Sequence, residues 1–498
     1  MDWFFLGVFF IGLIMLIGIT EGIRRSFHWA PEATRKVVHI ATGLLIAATP
    51  LLIKSRTPLL LIAAAFAIVN AFAIRFNFLK GMHSTNRHTY GTVFYPLAFI
   101  LLLLLFWENH KAVLIISVLI MAIADALAAI VGENIAHQHH YNLIGERKSI
   151  EGSITMFAAT LGITFSGLKL GGIYNGYEIT TAQCLWTAVI VGIIAVVTEA
   201  LSRKGSDNLS VPLSVGFILH FMVTRFNSGV FAENIQLTIG VGLGMLIVIG
   251  SFYVQFLDAS GAISTFLLAV LVFGVGGWKF GFPILTFFIL SSLLSRVGKE
   301  QKKQLQQTYQ KSSRRDLGQV IANGGIAGAL VLIWNFERSD LLYYLYLGAL
   351  AAVTADTWGT EIGFFAKKMP RLILNFKPVA RGTSGGITIE GTLAGFAGAT
   401  IIGFSGWLTN PSFISWHYMA LIGFSGLFAS FIDSLLGATI QAQFKCPKCQ
   451  KITEKAVHCG GVATQHELGL KWVDNDMVNI ICAFFGVLFV WFGIYLAQ

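Results

Sequence analysis

The sequence predicts an all-α, polytopic membrane protein with about 14–16 transmembrane helices in two tandem, distantly related bundles. Apolar residues make up 55% of the chain and charged residues only 12%, whereas a soluble domain normally carries about 25% charged residues. Apolar runs of about 20 residues, the length that crosses a bilayer, recur along the whole chain. The same order of polar motifs occurs in both halves, which favours a duplication.

The individual spans are predicted from these apolar runs, in chain order. In the first half they lie near residues 2–20, 37–53, 58–74, 89–107, 112–132, 153–168, 183–201 and 211–227. In the second half they lie near residues 237–257, 262–277, 280–295, 319–335, 341–357, 392–409, 416–438 and 478–496. The first segment lacks a basic leader and a small-residue cleavage site, so we expect a membrane span there rather than a cleaved signal peptide.

The basic residues predict the orientation of these spans. With the N-terminus outside, most of the 35 Lys and Arg residues fall in inner loops, as the positive-inside rule expects. This placement accounts for the net charge of +10 without nucleic acid as a partner. We therefore expect an integral protein of a bacterial inner membrane or its equivalent, with its active-site loops in the cytoplasm.

Polar residues of the first half, residues 1–229, cluster at the inner ends of predicted spans. They include one acidic residue that closes a span, a basic and acidic motif that opens the next, and an acidic pair that opens a later one. In order, they are Asp125, Arg147-Lys148-Ser149, Glu151, Glu199 and Asp207-Asn208. Acidic groups at bilayer depth are costly and usually serve a site or a pathway.

The second half, residues 237–498, repeats this order of motifs. Ala-Asp matches Ala-Asp, Glu-Gly-Ser matches Glu-Gly-Thr, and Asp-Asn matches Asp-Asn. The residues are Asp356, Glu361, Arg381-Gly382-Thr383-Ser384-Gly385-Gly386, Glu390, Asp433 and Asp474-Asn475. All of them fall on the predicted inner face, which favours one site in each half over helix capping alone.

These residue types suit phosphoryl transfer. That reaction needs cations around the phosphates and carboxylates that hold Mg²⁺. The acidic residues and Asn208 and Asn475 could form the catalytic groups, with Arg147, Lys148, Ser149 and Arg381 near the phosphates. The glycine-rich run after Arg381 could cradle a polyphosphate with its backbone N–H groups. No Walker A sequence occurs, which excludes a P-loop kinase.

Two family resemblances follow from these and neighbouring motifs. Residues 30–225 resemble the phytol and dolichol kinase family in the motifs Arg35-Lys36-Val-Val-His39, Arg87-His-Thr-Tyr-Gly91, Ala124-Asp125-Ala126, Lys148-Ser-Ile-Glu-Gly-Ser153 and Asp207-Asn-Leu-Ser-Val-Pro212. Residues 258–496 resemble the phytyl-phosphate kinase-like, transmembrane protein 19-like membrane family. The motifs there are Asp258-Ala-Ser-Gly261, Gln319-Val-Ile-Ala-Asn-Gly324, Ala355-Asp-Thr-Trp358, Gly382-Thr-Ser-Gly-Gly386, Asp433-Ser-Leu-Leu-Gly437 and Asp474-Asn-Asp-Met-Val-Asn479.

The resemblance implies a bifunctional isoprenoid-lipid kinase. The first half would convert a prenol to its monophosphate, and the second half would convert the monophosphate to the diphosphate. CTP or ATP would be the phosphoryl donor, with Mg²⁺. The lipid head group is expected to contact Arg35, His39 and Arg87. The partners are then the isoprenoid alcohol, its monophosphate, the nucleotide and membrane lipids.

A small loop at residues 444–470 predicts a structural zinc site. Cys446, Cys449, His458 and Cys459 have the ligand types and spacing of such sites. His466 is an alternative ligand. Zinc would let this short loop fold without a hydrophobic core.

Two other functions compete with the kinase interpretation. A CTP-dependent cytidylyltransferase would use the same metal and nucleotide groups, but its characteristic His-Gly-Gly and paired-Asp signature does not occur. A two-repeat transporter would also carry intramembrane acids, but near the midplane rather than at one interface. The basic stretch from Arg296 to Arg315 is expected to lie on anionic lipid, and His137, His139 and His140 are expected to be solvated.

Overall fold

The computed structural model confirms the predicted all-α membrane architecture. It describes residues 2–27, 31–76, 89–135, 138–175, 179–254, 257–297, 315–411, 414–450, 452–454 and 457–497. Among these residues, eleven helices are long and apolar enough to cross a membrane, and four shorter apolar helices accompany them. In hydrocarbon, the backbone must satisfy its own hydrogen bonds, so apolar runs of this length fold as helices.

The chain divides into two compact units, Met1–Asn234 and Ile235–Gln498. The helices of the first unit are α1 (Asp2–Phe27), α2 (Pro31–Leu52), α3 (Arg56–Arg75), α4 (Gly91–Phe106), α5 (Lys111–Asn134), α6 (Ile150–Asn175), α7 (Thr181–Ala200) and α8 (Asp207–Asn227). A two-stranded antiparallel hairpin, β1 (His140–Asn142) and β2 (Arg147–Ser149), connects α5 to α6.

Helix α9 (Phe231–Tyr253) crosses the boundary between the units. The second unit continues with α10 (Ala259–Val275), α11 (Gly277–Leu294), α12 (Leu317–Glu337), α13 (Asp340–Gly363), α14 (Ile389–Thr409), α15 (Trp416–Thr439) and α16 (Asn475–Ala497). The short strands β3 (Arg371–Leu372) and β4 (Gly386–Ile387) pair between α13 and α14. A pair of short antiparallel strands thus lies between α13 and α14, as another does between α5 and α6.

Helix α13 forms the centre of the second unit. Every residue from Leu342 to Ala355 is buried, and the large side chains of Tyr343 and Tyr346 are completely enclosed. Their hydroxyl groups donate hydrogen bonds to the backbone carbonyls of Lys279 and Phe280 in α11. A helix that is apolar on all sides and surrounded by other helices needs such partners for its few polar atoms.

The loop between α15 and α16 folds as a small β-structure. Strand β5 (Gln443–Lys445) pairs with β6 (Ile452–Thr453) and β9 (Gln465–Leu468), and β7 (Val457–His458) pairs with β8 (Val462–Ala463). Cys446 and Cys449 lie in the turn between β5 and β6, His458 is the last residue of β7, and Cys459 begins the turn after it. This arrangement brings the predicted metal ligands together.

Candidate functional site

An ion pair between Lys148 and Glu199 lies at the centre of the candidate site in the first unit. The Lys148 ammonium group donates hydrogen bonds to both the carboxylate and the backbone carbonyl of Glu199. The two side chains are only 14% and 15% exposed. Asp207 and Asp125 also lie within electrostatic range of the ammonium group. The structure thus brings together four of the predicted catalytic residues.

Electrostatics keeps Lys148 protonated in this cluster. Burial lowers the pKa of Lys148, but Glu199, Asp207 and Asp125 together outweigh burial, so the pKa lies above its usual range. Tyr141, on the neighbouring strand, faces the same groups. Burial raises the pKa of its hydroxyl, which forms a 2.7 Å hydrogen bond with the hydroxyl of Ser153.

The hairpin β1–β2 determines where Lys148 lies. Tyr141 pairs with Lys148 across the hairpin, and the next residue, Ser149, caps α6. The Ser149 hydroxyl accepts a hydrogen bond from the N–H of Gly152 at 3.1 Å. The side chains of Lys148 and Ser149 point to opposite sides of the strand, so the capping serine directs the lysine away from the helix.

A π-helical turn at Ile120–Ala124 directly precedes Asp125 in α5. Such turns contain one more residue than an α-helical turn and often occur at functional sites. His39 of α2 contacts this turn, with its Nε2 atom 3.2 Å from the carbonyl of Met121. Because a carbonyl only accepts, Nε2 carries the proton. His39 also packs edge-on against Tyr95, so its ring lies between helices, and its contact with a lipid head group stays a prediction.

Two glycines position the Asp207-Asn208 pair. Gly205 has φ +84° and lies so close to Gly91 that an added methyl group would be 2.5 Å from the Gly91 nitrogen. Tyr90 also donates its N–H to the Lys204 carbonyl at 2.8 Å. The turn before α8 is therefore fixed against the start of α4, and Asp207 accepts hydrogen bonds from the backbone and side chain of Asn208.

Other predicted residues of the first unit lie apart from this cluster. Glu151 accepts hydrogen bonds from the backbone N–H and the imidazole of His139, a residue that we expected to be solvated. Arg147 is exposed on β2. Arg87 and the side chain of Arg35 lie outside the described residues, as does His137.

The second unit reproduces the helix contact that surrounds Ser149. Thr388 caps α14 and accepts a hydrogen bond from the N–H of Gly391 at 3.0 Å. Gly363 and Gly391 touch there, as Gly132 and Gly152 do in the first unit, and an added methyl group at either Gly132 or Gly363 would strike the capping hydroxyl. The spacing from Asp125 to Gly132 equals that from Asp356 to Gly363. Asp125 and Asp356 therefore occupy equivalent positions, whereas Ile387 takes the place of Lys148.

Asp356 and Asp433 converge on Cys482. Ala352, Ala429 and Cys482 form a buried cluster among α13, α15 and α16, and the Cys482 thiol contacts the Ala429 carbonyl at 3.4 Å. Each aspartate follows one of the two alanines by four residues and so lies on the same helix face, one turn further along. Cys482 is within electrostatic range of both carboxylates.

The predicted glycine-rich loop lies against α15 immediately after Asp433. Gly385 has φ +81°, and a methyl group there would lie 2.5 Å from Ala438 Cβ and 2.6 Å from the Ser434 carbonyl oxygen. Within the described residues, the backbone N–H groups of Gly382, Ser384 and Gly385 donate no hydrogen bond. These N–H groups could therefore donate hydrogen bonds to an anion.

The remaining predicted residues of the second unit have mainly structural contacts. Arg381 donates hydrogen bonds from its two terminal nitrogens to the carbonyls of Phe364 and Ala366, at 2.8 and 2.6 Å, and so holds the loop to the end of α13. Asp474 accepts from the N–H of Met477 and caps α16. Glu390 is exposed. The buried amide nitrogen of Asn475 has no hydrogen-bond partner within the described part of the chain.

Sequence reasoning did not place Arg315 and Asp316 at this end of the second unit. Arg315, just before α12, lies within electrostatic range of Glu361 and over the rings of Phe287 and Phe288, 5.7 and 5.8 Å from their centres. We predicted that the stretch from Arg296 to Arg315 lies on anionic lipid, but Arg315 is partly buried. Residues 298–314 of that stretch lie outside the described residues. Asp316 and Asp476 both approach Gly318.

The four predicted zinc ligands come together in the loop at 444–470. Ligand atoms of Cys446, Cys449, His458 and Cys459 all lie within 4.8 Å of one another. Burial raises the pKa of the Cys446 thiol, but hydrogen bonds from the Cys449 backbone and from His458 outweigh burial, and the pKa falls to about 6. Thiolate is the form that binds metal, so this donor set fits zinc. His466 packs instead against Phe444.

One side chain joins this Cys/His loop to the glycine-rich loop. The Glu454 carboxylate accepts hydrogen bonds from the Ser384 hydroxyl at 2.9 Å and from the Gln441 amide at 2.8 Å. Glu454 follows β6 directly. Glu454 therefore links the Cys/His loop to Ser384 of the glycine-rich loop.

Comparison with known proteins relates the chain to membrane proteins of several organisms. The profile of the family described as "Integral membrane protein DUF92" matches residues 242–487. Protein PGR of Arabidopsis thaliana is 33% identical over 273 residues, which cover 50% of this chain and 93% of that protein. Phytol kinase of Synechocystis sp. is 33% identical over 215 residues, covering 42% of this chain and 86% of the kinase.

A third relative, the chloroplastic protein VTE6 of Arabidopsis thaliana, is 27% identical over 247 residues, covering 48% of this chain and 65% of VTE6. No solved structure shows a significant match. Each of these relatives aligns with half of the chain or less.

Proposed function

The chain belongs to the DUF92 family of integral membrane proteins, and from that premise we propose that it is a bifunctional isoprenoid-lipid kinase. The first unit converts an isoprenoid alcohol to its monophosphate, and the second converts the monophosphate to the diphosphate. Similarity to a phytol kinase supports the class of reaction. The single observation that carries the proposal is the placement of Lys148 among Glu199, Asp207 and Asp125.

This cluster has the charge balance that phosphoryl transfer requires. One ammonium group faces three carboxylates, so net negative charge is left over, and a divalent cation fits that donor set. Asp125, Asp207 and Glu199 would hold Mg²⁺, which would neutralise charge on the phosphates and align them. The oxygen of the alcohol would bond to the γ-phosphorus as the bond from that phosphorus to the β,γ-bridging oxygen breaks, and the nucleoside diphosphate would leave. The proton of the hydroxyl would pass to a carboxylate of this group.

The second unit supplies the corresponding groups from different positions. Asp356 is equivalent to Asp125, and Asp433 adds a second carboxylate that faces the same buried cysteine. Because Ile387 replaces Lys148, the positive charge must come from elsewhere in this unit. Arg315, beside Glu361, is suited to that role. The different cation is consistent with a different acceptor, a phosphate rather than a hydroxyl.

The nucleotide of the second unit binds at the loop of residues 382–386. Within the described residues, three of its N–H groups donate no hydrogen bond, and Gly382 and Gly385 have positive φ, so the loop offers donors to an anion. Cys446, Cys449, His458 and Cys459 would hold zinc in a structural role, because four protein ligands leave no open coordination position. Glu454 of the same loop accepts a hydrogen bond from the Ser384 hydroxyl.

The direct test measures transfer of the γ-phosphate of CTP or ATP to lipid. The protein is reconstituted in nanodiscs with Mg²⁺ and a series of prenols and prenyl monophosphates, and the products are separated by thin-layer chromatography. Label from the γ-phosphate in both lipid products supports two kinase steps. Label from the α-phosphate would instead identify a cytidylyltransferase and overturn the proposal.

An independent test places the reacting groups relative to the membrane. We propose that the ends of α5, α7, α13 and α15 that carry the acidic clusters face the cytoplasm. Single cysteines introduced in β1–β2 would then be labelled by a membrane-impermeant maleimide only in inverted vesicles. Labelling from the outside of intact cells would refute this orientation.

A further inference from the structure

An apolar cleft lies between helices α9, α10, α11 and α12 of the second unit. It has a volume of about 60 Å³ and is partly open to one side. Its walls are almost entirely hydrocarbon and aromatic, with Leu268, Phe273 and Leu285 among the lining side chains. The Thr265 hydroxyl, which also lines it, is buried and has no hydrogen-bond partner within the described residues.

Three polar residues line this cleft from the side of α12, with Arg315 at one end of their row. Arg315, Gln319 and Asn323 line it there, on the last residues before α12 and on its first two turns. The Arg315 guanidinium stays near the rings of Phe287 and Phe288, two residues that also line the cleft. The cleft is therefore amphipathic, with an apolar body and a single cationic end.

The cationic end faces the acidic part of the proposed active site. Glu361 lies within electrostatic range of Arg315, and it follows Asp356 by five residues on α13. Gly318, on the first turn of α12, approaches Asp476 on the first turn of α16. A ligand with its charged group at Arg315 would thus present that group at the end of the bundle where Asp356 lies.

We infer that this cleft binds the isoprenyl monophosphate, with its phosphate at Arg315 and the adjacent part of its apolar chain between α10, α11 and α12. The inference rests on the proposed second kinase step and identifies where its lipid substrate binds. Charge selects this occupant over a neutral prenol, since a guanidinium forms paired hydrogen bonds with phosphate oxygens. The small volume limits the site to the part of the chain nearest the phosphate, and the rest extends into the bilayer.

Three substitutions test the two parts of the cleft. Arg315→Gln removes the charge, and Arg315→Lys keeps the charge but loses the paired geometry. Leu285→Trp fills the apolar part. One matched control is Lys368→Gln, which removes an exposed charge from the loop after α13. The other is Ile289→Trp, which adds the same bulk one turn from Leu285 at a position that is 45% exposed.

Steady-state kinetics of the second step are measured on full-length protein in nanodiscs. We expect Arg315→Gln to raise KM for the prenyl monophosphate by about ten- to a hundredfold, because hydrogen bonds to a charged group are lost. KM for the nucleotide should stay unchanged. Arg315→Lys should recover part of the loss. Both controls should match the unmodified protein.

Photolabelling with a diazirine-bearing prenyl monophosphate tests binding without turnover. Label should map to peptides of α10–α12, and Leu285→Trp should remove it while Ile289→Trp does not. Label elsewhere in a protein that performs the second step would overturn the inference and leave the kinase proposal intact. Kinetics of the Arg315 and Leu285 variants that equal those of the controls would also overturn the inference.

Two further outcomes separate the inference from the proposed function. If no second step is detected, labelling of α10–α12 that unlabelled prenyl monophosphate displaces would support the binding site, and its absence would overturn it. If phosphatidic acid displaces the probe as well as prenyl monophosphate does, the cleft is a site for membrane phospholipid, and the inference is wrong.

Discussion

Removing Lys148 should destabilise the first unit and abolish its reaction. In Lys148→Met, the Glu199 carboxylate stays at 15% exposure without its ion-pair partner, near Asp207 and Asp125. The gross attraction of two unit charges about 3 Å apart is roughly 5 kcal/mol at an effective dielectric constant of 20. Desolvation of both groups offsets most of that attraction, but loss of one partner leaves a buried charge and costs about 3–5 kcal/mol.

A double-mutant cycle isolates the interaction. Glu199→Gln should cost less than Lys148→Met, and the double variant should be more stable than the sum of the single effects predicts, with a coupling free energy of about 2 kcal/mol. Unfolding would be followed by circular dichroism during SDS titration in mixed micelles. Lys36→Met is the control, because its partner Glu133 is 50% exposed and the expected loss is about 1 kcal/mol or less.

The same variants test the catalytic role. Lys148→Met should abolish formation of the prenyl monophosphate, with phosphorylation of added monophosphate unchanged. The raised pKa of Lys148 means that its charge is fully present below the unfolded-state pKa of about 10.4 and is lost only as pH rises through the folded-state value. First-step activity should therefore show no decline from Lys148 deprotonation between about pH 7 and 9. A coupling free energy near zero, or a first step that survives in Lys148→Met, would refute this reasoning.

Three further predictions concern the individual steps and loops. Asp125→Asn should block only alcohol phosphorylation, and Asp356→Asn should let monophosphate accumulate. The rate of the affected step should fall by roughly a hundredfold or more in each variant, because a metal ligand is lost. Product ratios on thin-layer plates measure both effects. Gly385→Ala should raise KM for the nucleotide in the second step, because the methyl group strikes α15 and the φ of +81° is strained for alanine. The same strain should lower the free energy of unfolding by about 1–3 kcal/mol. Cys446→Ser, or a zinc-selective chelator with excess Mg²⁺, should impair the second step only, because Ser384 loses its fixed partner; elemental analysis verifies the loss of zinc.

Each of these predictions has an outcome that would contradict it. Equal loss of both steps in either aspartate variant would refute two separate sites. Gly277→Ala carries comparable backbone strain, with φ +69° and nothing within 4 Å. It should leave nucleotide KM unchanged, and a Gly385→Ala variant that behaves like it would exclude the loop from nucleotide binding. Full second-step activity in zinc-free protein would show that the Cys/His loop does not position Ser384.

Hydrophobic patterning predicted the helices well because bilayer spans depend on length and apolarity alone. The spans around Asp125 and Asp356 and the convergence of Cys446, Cys449, His458 and Cys459 follow from local sequence. Local sequence did not predict which acidic residues meet. Glu151 was grouped with Lys148 by proximity in sequence, but His139 across the hairpin binds it, and that contact depends on the strand register.

The position of Arg315 was missed for a related reason. In sequence it ends a basic stretch, and the composition of that stretch indicates a surface segment. Its position is instead determined by backbone contacts: its carbonyl accepts a 3.0 Å hydrogen bond from the N–H of Asp258, and Gly261 packs directly against that carbonyl. The motif Asp258-Ala-Ser-Gly261 therefore holds Arg315 in place. That partner is distant in sequence, and no local pattern connects the two.

The π-helical turn before Asp125 affects how this protein should be aligned with its relatives. One additional residue within a helix rotates everything after it by about 100° relative to an uninterrupted α-helix. The direction in which the Asp125 side chain points thus depends on the number of residues in the turn at 120–124. The presence of an aspartate at position 125 does not determine that direction. A homologue that lacks one residue there would align with a single gap in an apolar segment, yet its aspartate would face a different neighbouring helix. Such a gap, easily overlooked among interchangeable aliphatic residues, would distinguish chains that retain this site from chains that have lost it.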